Sequence, residues 1–260
     1  MLDAGQLRQF QSDGFLIVDQ LLDQRQVELL SRVMRADAEL ARQSTSRTDG
    51  EGGAVELAVR NDLPQDTMYA AIVRSCRLVE PMQDVLEGEV YHYHHKVIFK
   101  QPRGGGAWAW HQDYGYWYDN ACLFPRLASW LIAVDPHVRA NGCLQVIRGS
   151  HLMGRVQHGR VGDQTGADPE RVDEALKRLE HVHVELQPGA AVLFHCNLLH
   201  RSDQNHSDHP RWSLICCYNA ASNDPYRAGR HPGYCPLDVW PHARIDQIGQ
   251  QHYSELQAAM

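Results

Sequence analysis

Apolar residues in the N-terminal third of the chain recur mostly at helical spacing. Val27, Leu30 and Val33 lie three positions apart within residues 23–42, with charged residues between them, which predicts an amphipathic helix. The apolar run at 14–18 predicts a strand. The other elements predicted here are a short helix over 3–12, a loop over 43–66 of the kind that covers a site, and a helical region over 67–87.

The pattern changes at residue 89, where short β-type runs separated by turn residues begin. Turn signals such as Asn141-Gly142 and Pro188-Gly189 divide them, and one helix is predicted over 169–180 with Asp168 as its N-cap. Many short strands of this kind favour a mainly β fold, here a jelly roll supported by the N-terminal helices. The predicted strands cover 90–100, 107–111, 127–135, 143–148, 181–187, 190–195, 199–202 and 212–219.

Composition narrows the class of protein. At 260 residues, 43% hydrophobic and 22% charged, the chain is long enough for one well-buried core. We expect a single domain over 1–260, with helical support over 1–88, the β core over 89–220 and an extension over 221–260. The formal net charge of −7 and the scattered basic residues argue against binding to nucleic acid or to an anionic membrane surface. They say nothing about the oligomeric state.

The expected location is cytoplasmic. The opening residues lack the apolar stretch of a secretory signal, and no apolar run is long enough to span a membrane. Seven cysteines without a C-x-x-C spacing indicate reduced, buried thiols rather than a disulfide framework or a zinc ribbon.

Three residues form a candidate metal site. His111 and Asp113 are two positions apart after a strand-like, tryptophan-rich segment, and residues i and i+2 of a strand point to the same face. His200 follows the apolar run at 191–194 and can supply a third ligand. Two neutral imidazoles and one carboxylate can occupy one face of an octahedral Fe(II) and leave positions free for a cosubstrate and O₂.

Other histidines compete with this assignment, because the chain contains 16 of them. His206 and Asp208 have the same spacing, but they lie in a polar turn with no framing strand. His195 could replace His200 as a ligand, although a packed histidine is the simpler interpretation. A third group, His92, His94 and His95, alternates along a predicted strand and is interpreted as core and solvent faces.

Several ordered motifs resemble one enzyme family. His-Gln-Asp-Tyr (111–114), Asn-Gly-Cys-Leu-Gln-Val-Ile-Arg-Gly-Ser-His (141–151) and the segment 188–202 are similar to the phytanoyl-CoA dioxygenase family. Within it, Phe-His-Cys-Asn-Leu-Leu-His-Arg-Ser (194–202) resembles the ectoine hydroxylases. The similarity extends over about 90–220, with a weaker match at 10–18. Members are Fe(II)- and 2-oxoglutarate-dependent oxygenases on a double-stranded β-helix, so the resemblance implies that fold and those cofactors, with O₂ as cosubstrate.

The resemblance also implies roles for individual residues. His111, Asp113 and His200 correspond to the iron ligands, and Arg211 to the arginine that pairs with the far carboxylate of 2-oxoglutarate. A guanidinium suits that role because it is permanently charged and can bind a carboxylate through two hydrogen bonds. Further residues expected near the cosubstrate are Ser213, on the same strand face as Arg211, then Trp130 and Gln101.

The implied reaction is hydroxylation of an unactivated C–H bond, with succinate and CO₂ as co-products. Related halogenases have a small residue in place of the carboxylate, so Asp113 favours hydroxylation or a related oxidation. We expect the aromatic residues of 114–118 to line the pocket. A catalytically inactive cupin-like binding protein, a zinc hydrolase and an acyl-CoA hydroxylase are the alternatives. The substrate is expected to be a small molecule, and the sequence does not identify it.

Overall fold

The computed structural model describes residues 1–49 and 52–259. The helices of this part of the chain are α1 (Ala4–Asp13), α2 (Gln24–Ala36), α3 (Ala38–Gln43), α4 (Met68–Val73), α5 (Cys76–Leu86), α6 (Asp113–Trp117), α7 (Pro169–Leu176) and α8 (Arg244–Ala258). The strands are β1 (Phe15–Val18), β2 (Thr45–Thr48), β3 (Ala54–Arg60), β4 (Val90–Lys100), β5 (Trp108–His111), β6 (Leu127–Ala133), β7 (Leu144–Ile147), β8 (His158–Val161), β9 (Gln164–Ala167), β10 (His181–Val184), β11 (Ala191–His195), β12 (His200–Ser202) and β13 (Arg211–Ala220).

Two antiparallel sheets form the centre of the fold. The larger sheet has the order β1-β11-β6-β13-β4-β3-β2, and the smaller has the order β10-β7-β12-β5. Apolar side chains from both sheets, among them Leu131, Leu144 and Ile215, pack between them. The predicted jelly roll is confirmed, as is the predicted strand at 14–18, which pairs with β11 at the edge of the larger sheet.

Helices cover the other face of the larger sheet. Trp130 and Leu214 point outward and join the apolar residues of α2, α4, α5 and α8 in a second core. The amphipathic pattern of α2 buries Val27, Leu30 and Val33 against it. This helix is shorter than predicted, because Asp37 ends it and caps α3 by accepting hydrogen bonds from two backbone amides.

The prediction of a loop over 43–66 is wrong. This stretch contains β2 and β3, which extend the larger sheet through the pairing of β3 with β4. All four residues of β2 are exposed, so the strand carries no apolar alternation that the sequence could reveal. Gly50 and Glu51 lie outside the described residues.

The extension over 221–260 contains a helix that was not predicted. Ile245 and Ile248 of α8 are buried against the helical layer. The hairpin of β8 and β9 was also missed, since its short strands are rich in glycine and polar residues. No helix in the described part of the chain is long and apolar enough to cross a membrane.

Candidate metal centre

His111 and His200 face each other across two neighbouring strands. His111 is the last residue of β5, His200 is the first of β12, and the two are register partners in the smaller sheet. Their ring centroids lie 4.1 Å apart, and both side chains are buried. Antiparallel pairing therefore brings together two imidazoles that are 89 positions apart in sequence.

The strand ends between the first two candidate ligands. His111 closes β5, Gln112 keeps an extended backbone, and Asp113 begins α6. Asp113 is therefore not on the strand that carries His111, as the i, i+2 argument assumed, although the extended residue between them still brings it to the same site. Ligand atoms of the two residues and of His200 all lie within 4.8 Å of one another.

Gln112 fixes this junction. Its side chain is fully buried and donates hydrogen bonds to the carbonyls of Gly154 (2.8 Å) and Asn197 (2.7 Å). Its side-chain oxygen accepts from the Val156 amide at 2.7 Å. Its backbone amide donates to His158 Nε2 at 2.9 Å. These contacts give both side-chain N–H groups and the side-chain oxygen a hydrogen-bond partner, and they hold the two neighbours of Gln112 in place.

Backbone carbonyls determine which ring nitrogen of each histidine is free. His111 Nδ1 donates to the carbonyl of Ala109 at 2.8 Å, and His200 Nδ1 donates to that of Leu198 at 2.9 Å. In both rings Nε2 is left to bind a metal, the arrangement usual for histidine ligands. Burial, and for His111 also the neighbouring His200, lowers the pKa of both imidazoles, so they are neutral near pH 7.

Asp113 has a buried lysine beside it. Lys96 Nζ lies 3.7 Å from Asp113 Oδ1, and Ser129 Oγ lies 3.5 Å from Oδ2. Burial alone would raise the pKa of Asp113, but Lys96 and the two histidines lower it below its usual value. Burial likewise opposes the charge of Lys96, and Asp113 raises the pKa of that ammonium group above its usual value. Both groups are therefore charged at neutral pH.

The competing histidines lie elsewhere. His195 packs against Phe10 and His151, and its Nδ1 accepts the amide of Asn197. His206 is exposed, and Asp208 forms an ion pair with Arg103. Among the described residues, His111, Asp113 and His200 are the one group of three metal-binding side chains close enough to share an ion.

Arg211 and Ser213 line the cavity between the sheets. Arg211 is 3% exposed, and its Nε has no hydrogen-bond partner within the described residues. Burial lowers the pKa of its guanidinium to about 10, which leaves the group charged at pH 7. Ser213 is fully buried, with its Oγ 3.4 Å from His137 Nε2. A buried cation with an unused donor is suited to an anionic ligand.

Two residues expected near the cosubstrate are not at the cavity. Trp130 lies on the helix-facing side of β6, where its indole nitrogen donates to the carbonyl of Leu78 at 3.1 Å. Gln101 is exposed beyond the end of β4 and donates to Glu56 at 3.3 Å. Both predictions are wrong: Trp130 lies on the helix-facing side of its strand, and Gln101 lies outside the sheet.

The expectation for the aromatic residues of 114–118 is met in part. Tyr116 and Trp117 line the cavity. Tyr114 is buried in the core, where its hydroxyl donates to the carbonyl of Leu123 at 2.7 Å, and Tyr118 is 45% exposed. The helix α6 therefore presents one part of this aromatic run to the site and the rest to the core and solvent.

Several cavity residues were missed by the sequence analysis. The cavity has a volume of about 170 Å³. Lys96 and His94 reach it from β4, and His231 reaches it from the extension that follows β13. His231 stacks on His94 with ring centroids 4.3 Å apart. Alternation from the buried Ile98 could have placed Lys96 on this face.

A β-bulge explains why His94 was misinterpreted. Cys217 of β13 pairs with His94, and the next residue, Tyr218, pairs with His92, so Tyr93 is an extra residue in β4. Tyr93 and His94 are therefore both turned to the inner side of the sheet. His92 and His95 face the helices, where His95 stacks on Tyr69.

The residues present fit a ferrous ion and a dicarboxylate cosubstrate. Two imidazoles with free Nε2 atoms and one carboxylate are the donor set of mononuclear non-haem iron oxygenases, in which other coordination positions stay open. The unsatisfied guanidinium of Arg211, in the same cavity, matches a carboxylate that lies away from the metal. Leu131, Leu144 and Ile215 are apolar residues that line the same cavity.

Comparison with known proteins agrees with this geometry. Residues 10–213 match the phytanoyl-CoA dioxygenase family. L-proline trans-4-hydroxylase from Streptomyces griseoviridis is 31% identical over 212 residues, which cover 75% of this chain and 79% of that protein. Ectoine dioxygenase from Sphingopyxis alaskensis is 26% identical over 239 residues, or 85% of this chain and 77% of that protein.

A solved structure shows the same fold. The crystal structure of EctD from S. alaskensis with 2-oxoglutarate and 5-hydroxyectoine has a TM-score of 0.78 and 24% identity, covering 93% of this chain and 89% of that one. Fe(II) and 2-oxoglutarate, with O₂ as cosubstrate, are the cofactors that the motifs imply, and the donor set of His111, Asp113 and His200 fits that iron. The chain belongs to the phytanoyl-CoA dioxygenase family and is an Fe(II)- and 2-oxoglutarate-dependent dioxygenase that hydroxylates a small molecule.

Proposed function

We propose that His111, Asp113 and His200 bind the iron and that Arg211, assisted by Ser213, binds the far carboxylate of 2-oxoglutarate. The observation that supports the ligand set is the clustering of three buried donor atoms within 4.8 Å. Both imidazoles have Nδ1 engaged by a carbonyl and Nε2 free. A structural cluster of histidines has no need for this shared orientation.

Iron and 2-oxoglutarate, when bound, supply the oxidising chemistry, with succinate and CO₂ as products. The protein orients the reactants. The carbonyls of Ala109 and Leu198 hold the two imidazoles in one tautomer. Arg211 supplies a fixed positive charge in a buried site, where an ion pair with a carboxylate is strong. The apolar walls keep water from the oxidant.

The proposal extends to the organisation of the protein. The segment after β13 lines the cavity through Arg230 and His231, and α8 packs on the helical layer, so we treat the whole chain as one oxygenase domain. A cytoplasmic location is supported by the seven free cysteines, five of them buried. A cavity of about 170 Å³ favours a small substrate over an acyl-CoA ester.

Succinate release tests the site. Wild-type protein supplied with Fe(II), 2-oxoglutarate and O₂ should release succinate slowly without a substrate. His111→Ala should abolish this release and lower the bound iron, whereas the exposed His206→Ala should behave as the wild type. Equal succinate from wild type and His111→Ala would refute the assignment.

A further inference from the structure

The cavity wall is strongly biased towards positive charge. Asp113 is its one acidic residue within the described chain. Two of the basic residues are already paired, Lys96 with Asp113 and Arg201 with Asp203. Three are not: in the described part of the chain Arg47, Arg211 and Arg230 form no ion pair. The basic side chains that line the cavity are Arg47, Lys96, Arg201, Arg211 and Arg230.

Loading the site with its cofactors leaves this excess in place. The two positive charges of Fe(II) are balanced by the two negative charges of 2-oxoglutarate, and the two ion pairs cancel internally. His94 and His231 add no charge, because burial lowers the pKa of both, that of His231 to about 4. With Arg211 paired to the far carboxylate of 2-oxoglutarate, Arg47 and Arg230 are the cavity arginines of the described chain that have no anionic partner.

Arg230 is too far from Arg211 to serve the same carboxylate. In the backbone register of the two strands, Arg211 at the start of β13 lies opposite Lys100 of β4. Cys217, six residues further along β13, lies opposite His94 of β4. An extended strand covers about 20 Å over that distance. Arg230 is next to His231, which stacks on His94 at the far end. A five-carbon diacid held by Arg211 therefore leaves Arg230 free for another ligand.

Specific contacts hold Arg230 and its neighbour at the cavity. Asn61 Nδ2 donates to the carbonyl of Arg230 at 3.1 Å, and Asn61 Oδ1 lies 2.9 Å from His231 Nδ1. The His231 ring also lies 4.7 Å from the ring of Tyr93. The backbone that carries Arg230 is thus tied to the end of β3 and to β4, while the guanidinium itself is exposed and unpaired among the described residues.

Arg47 reaches the same cavity at its Arg211 end, away from Arg230. It pairs with Val55, which precedes the Glu56–Phe99 pair and is therefore level with Lys100, the register partner of Arg211. It lies on β2 and lines the cavity. Burial raises the pKa of the Tyr116 hydroxyl, and the guanidinium of Arg47 is close enough to oppose that rise. Tyr116 in turn contacts the ring of His111 at 5.8 Å between centroids. This second free cation therefore faces the region beside the candidate iron ligands.

We propose that the substrate is a small carboxylic acid of net negative charge, whose carboxylate is bound by Arg230. This inference rests on the proposed function of the site. No acidic side chain of the described cavity remains to pair with an ammonium group, since Asp113 is taken by the metal and Lys96. The pocket therefore favours an acid over the corresponding α-amino acid, unlike a site built for a zwitterion.

Binding can be measured without turnover. The full-length protein is loaded with Co(II) and N-oxalylglycine, an unreactive analogue of 2-oxoglutarate, and titrated calorimetrically with matched trios. Each trio is a carboxylic acid, its primary amide and its α-amino counterpart: cyclopentanecarboxylate, cyclopentanecarboxamide and 1-aminocyclopentanecarboxylate, or 3-phenylpropanoate, 3-phenylpropanamide and phenylalanine. We expect at least one acid to bind tenfold or more tightly than its two partners.

Variants assign the effect to Arg230. Arg230→Gln should weaken binding of the preferred acid about tenfold and leave amide binding unchanged, whereas Arg230→Lys should keep part of the affinity. Arg227→Gln is the matched control, because Arg227 lies in the same segment against the exposed Tyr226 and does not line the cavity.

Two results would overturn the proposal: a panel in which no acid binds more tightly than its amide and its amino acid, or acid binding that is unchanged in Arg230→Gln. Failure of the proposed function looks different, because Co(II) and N-oxalylglycine would then fail to bind before any acid is added.

Discussion

Lys96 and Asp113 form a buried ion pair at the candidate metal centre, with Nζ 3.7 Å from Oδ1. The pair has two consequences. It keeps Asp113 ionised despite burial, and it puts a permanent positive charge next to the position of the iron. The first favours metal binding and the second opposes it, because the two cations repel each other.

Replacing Lys96 by methionine separates these two effects. The pKa of Asp113 lies below its usual value with Lys96 present, and the neighbouring metal itself keeps the carboxylate ionised. We therefore expect Lys96→Met to bind Co(II) more tightly, by roughly tenfold or about 1.4 kcal/mol. Anaerobic titration measures this, with the exposed Lys177→Met as the control. Weaker binding would mean that Lys96 positions Asp113.

Arg211→Ala should affect 2-oxoglutarate far more than iron. Loss of a charged hydrogen-bonding partner costs about 1.5–3 kcal/mol, which corresponds to a KM for 2-oxoglutarate raised roughly ten- to a hundredfold. Iron content should stay at the wild-type level, since Arg211 is not among the clustered ligands. The control is Arg201→Ala, which removes a cavity arginine that is already paired with Asp203. Loss of iron in Arg211→Ala would show that the residue is structural.

The His158 ring packs so closely against residue 115 that only glycine fits there. A Cβ at position 115 would lie 2.3 Å from the His158 ring, whose Nε2 accepts the backbone amide of Gln112. Gly115→Ala must displace this ring and disturb the junction between His111 and Asp113. We expect a loss of about 1–3 kcal/mol in the free energy of unfolding, measured by urea denaturation, together with weaker Co(II) binding.

Gly159→Ala is the matched control for this substitution, because a Cβ there would meet no atom within 4 Å. Unchanged stability and metal affinity in Gly115→Ala would contradict the tight contact.

His195 should make the protein sensitive to acid. Burial, with a smaller contribution from His151, lowers the pKa of His195 from 6.5 to about 4. Between these values the unfolded chain binds the proton and the folded chain does not, so stability is full above pH 6.5 and falls as the pH drops towards 4. The contribution lost is on the order of 3 kcal/mol.

Urea denaturation at several pH values checks this prediction. His195→Gln should show a smaller fall in the free energy of unfolding between pH 6.5 and 4 than the wild type, whereas the exposed His206→Gln should not. Identical curves for wild type and His195→Gln would rule out this imidazole as a cause.

The sequence predicted the cluster of His111, Asp113 and His200, the candidate metal site, from local signals. His111 and Asp113 are two positions apart after a tryptophan-rich segment, and His200 follows the apolar residues of β11. Arg211 and Ser213 share a face through plain alternation. The prediction for Trp130 failed because the two faces of β6 are both buried, so hydrophobicity does not distinguish them.

Features that depend on long-range packing could not be predicted. The extra residue Tyr93 changes which side chains of β4 face the inner side of the sheet, and no local sequence pattern predicts such a bulge. Strand β2 is fully exposed and pairs only at a sheet edge. The contact of His231 with His94 joins positions 137 residues apart and is created by the path of an irregular segment over the sheet.

That irregular segment, between residues 224 and 239, has an evolutionary consequence. The candidate iron ligands belong to β5, α6 and β12, whereas Arg230 and His231 belong to a stretch without helix or strand. Insertions and replacements accumulate most readily in such stretches. Substitutions at a few surface positions of this segment can therefore adapt the enzyme to a different metabolite, while the candidate iron ligands on β5, α6 and β12 stay unchanged.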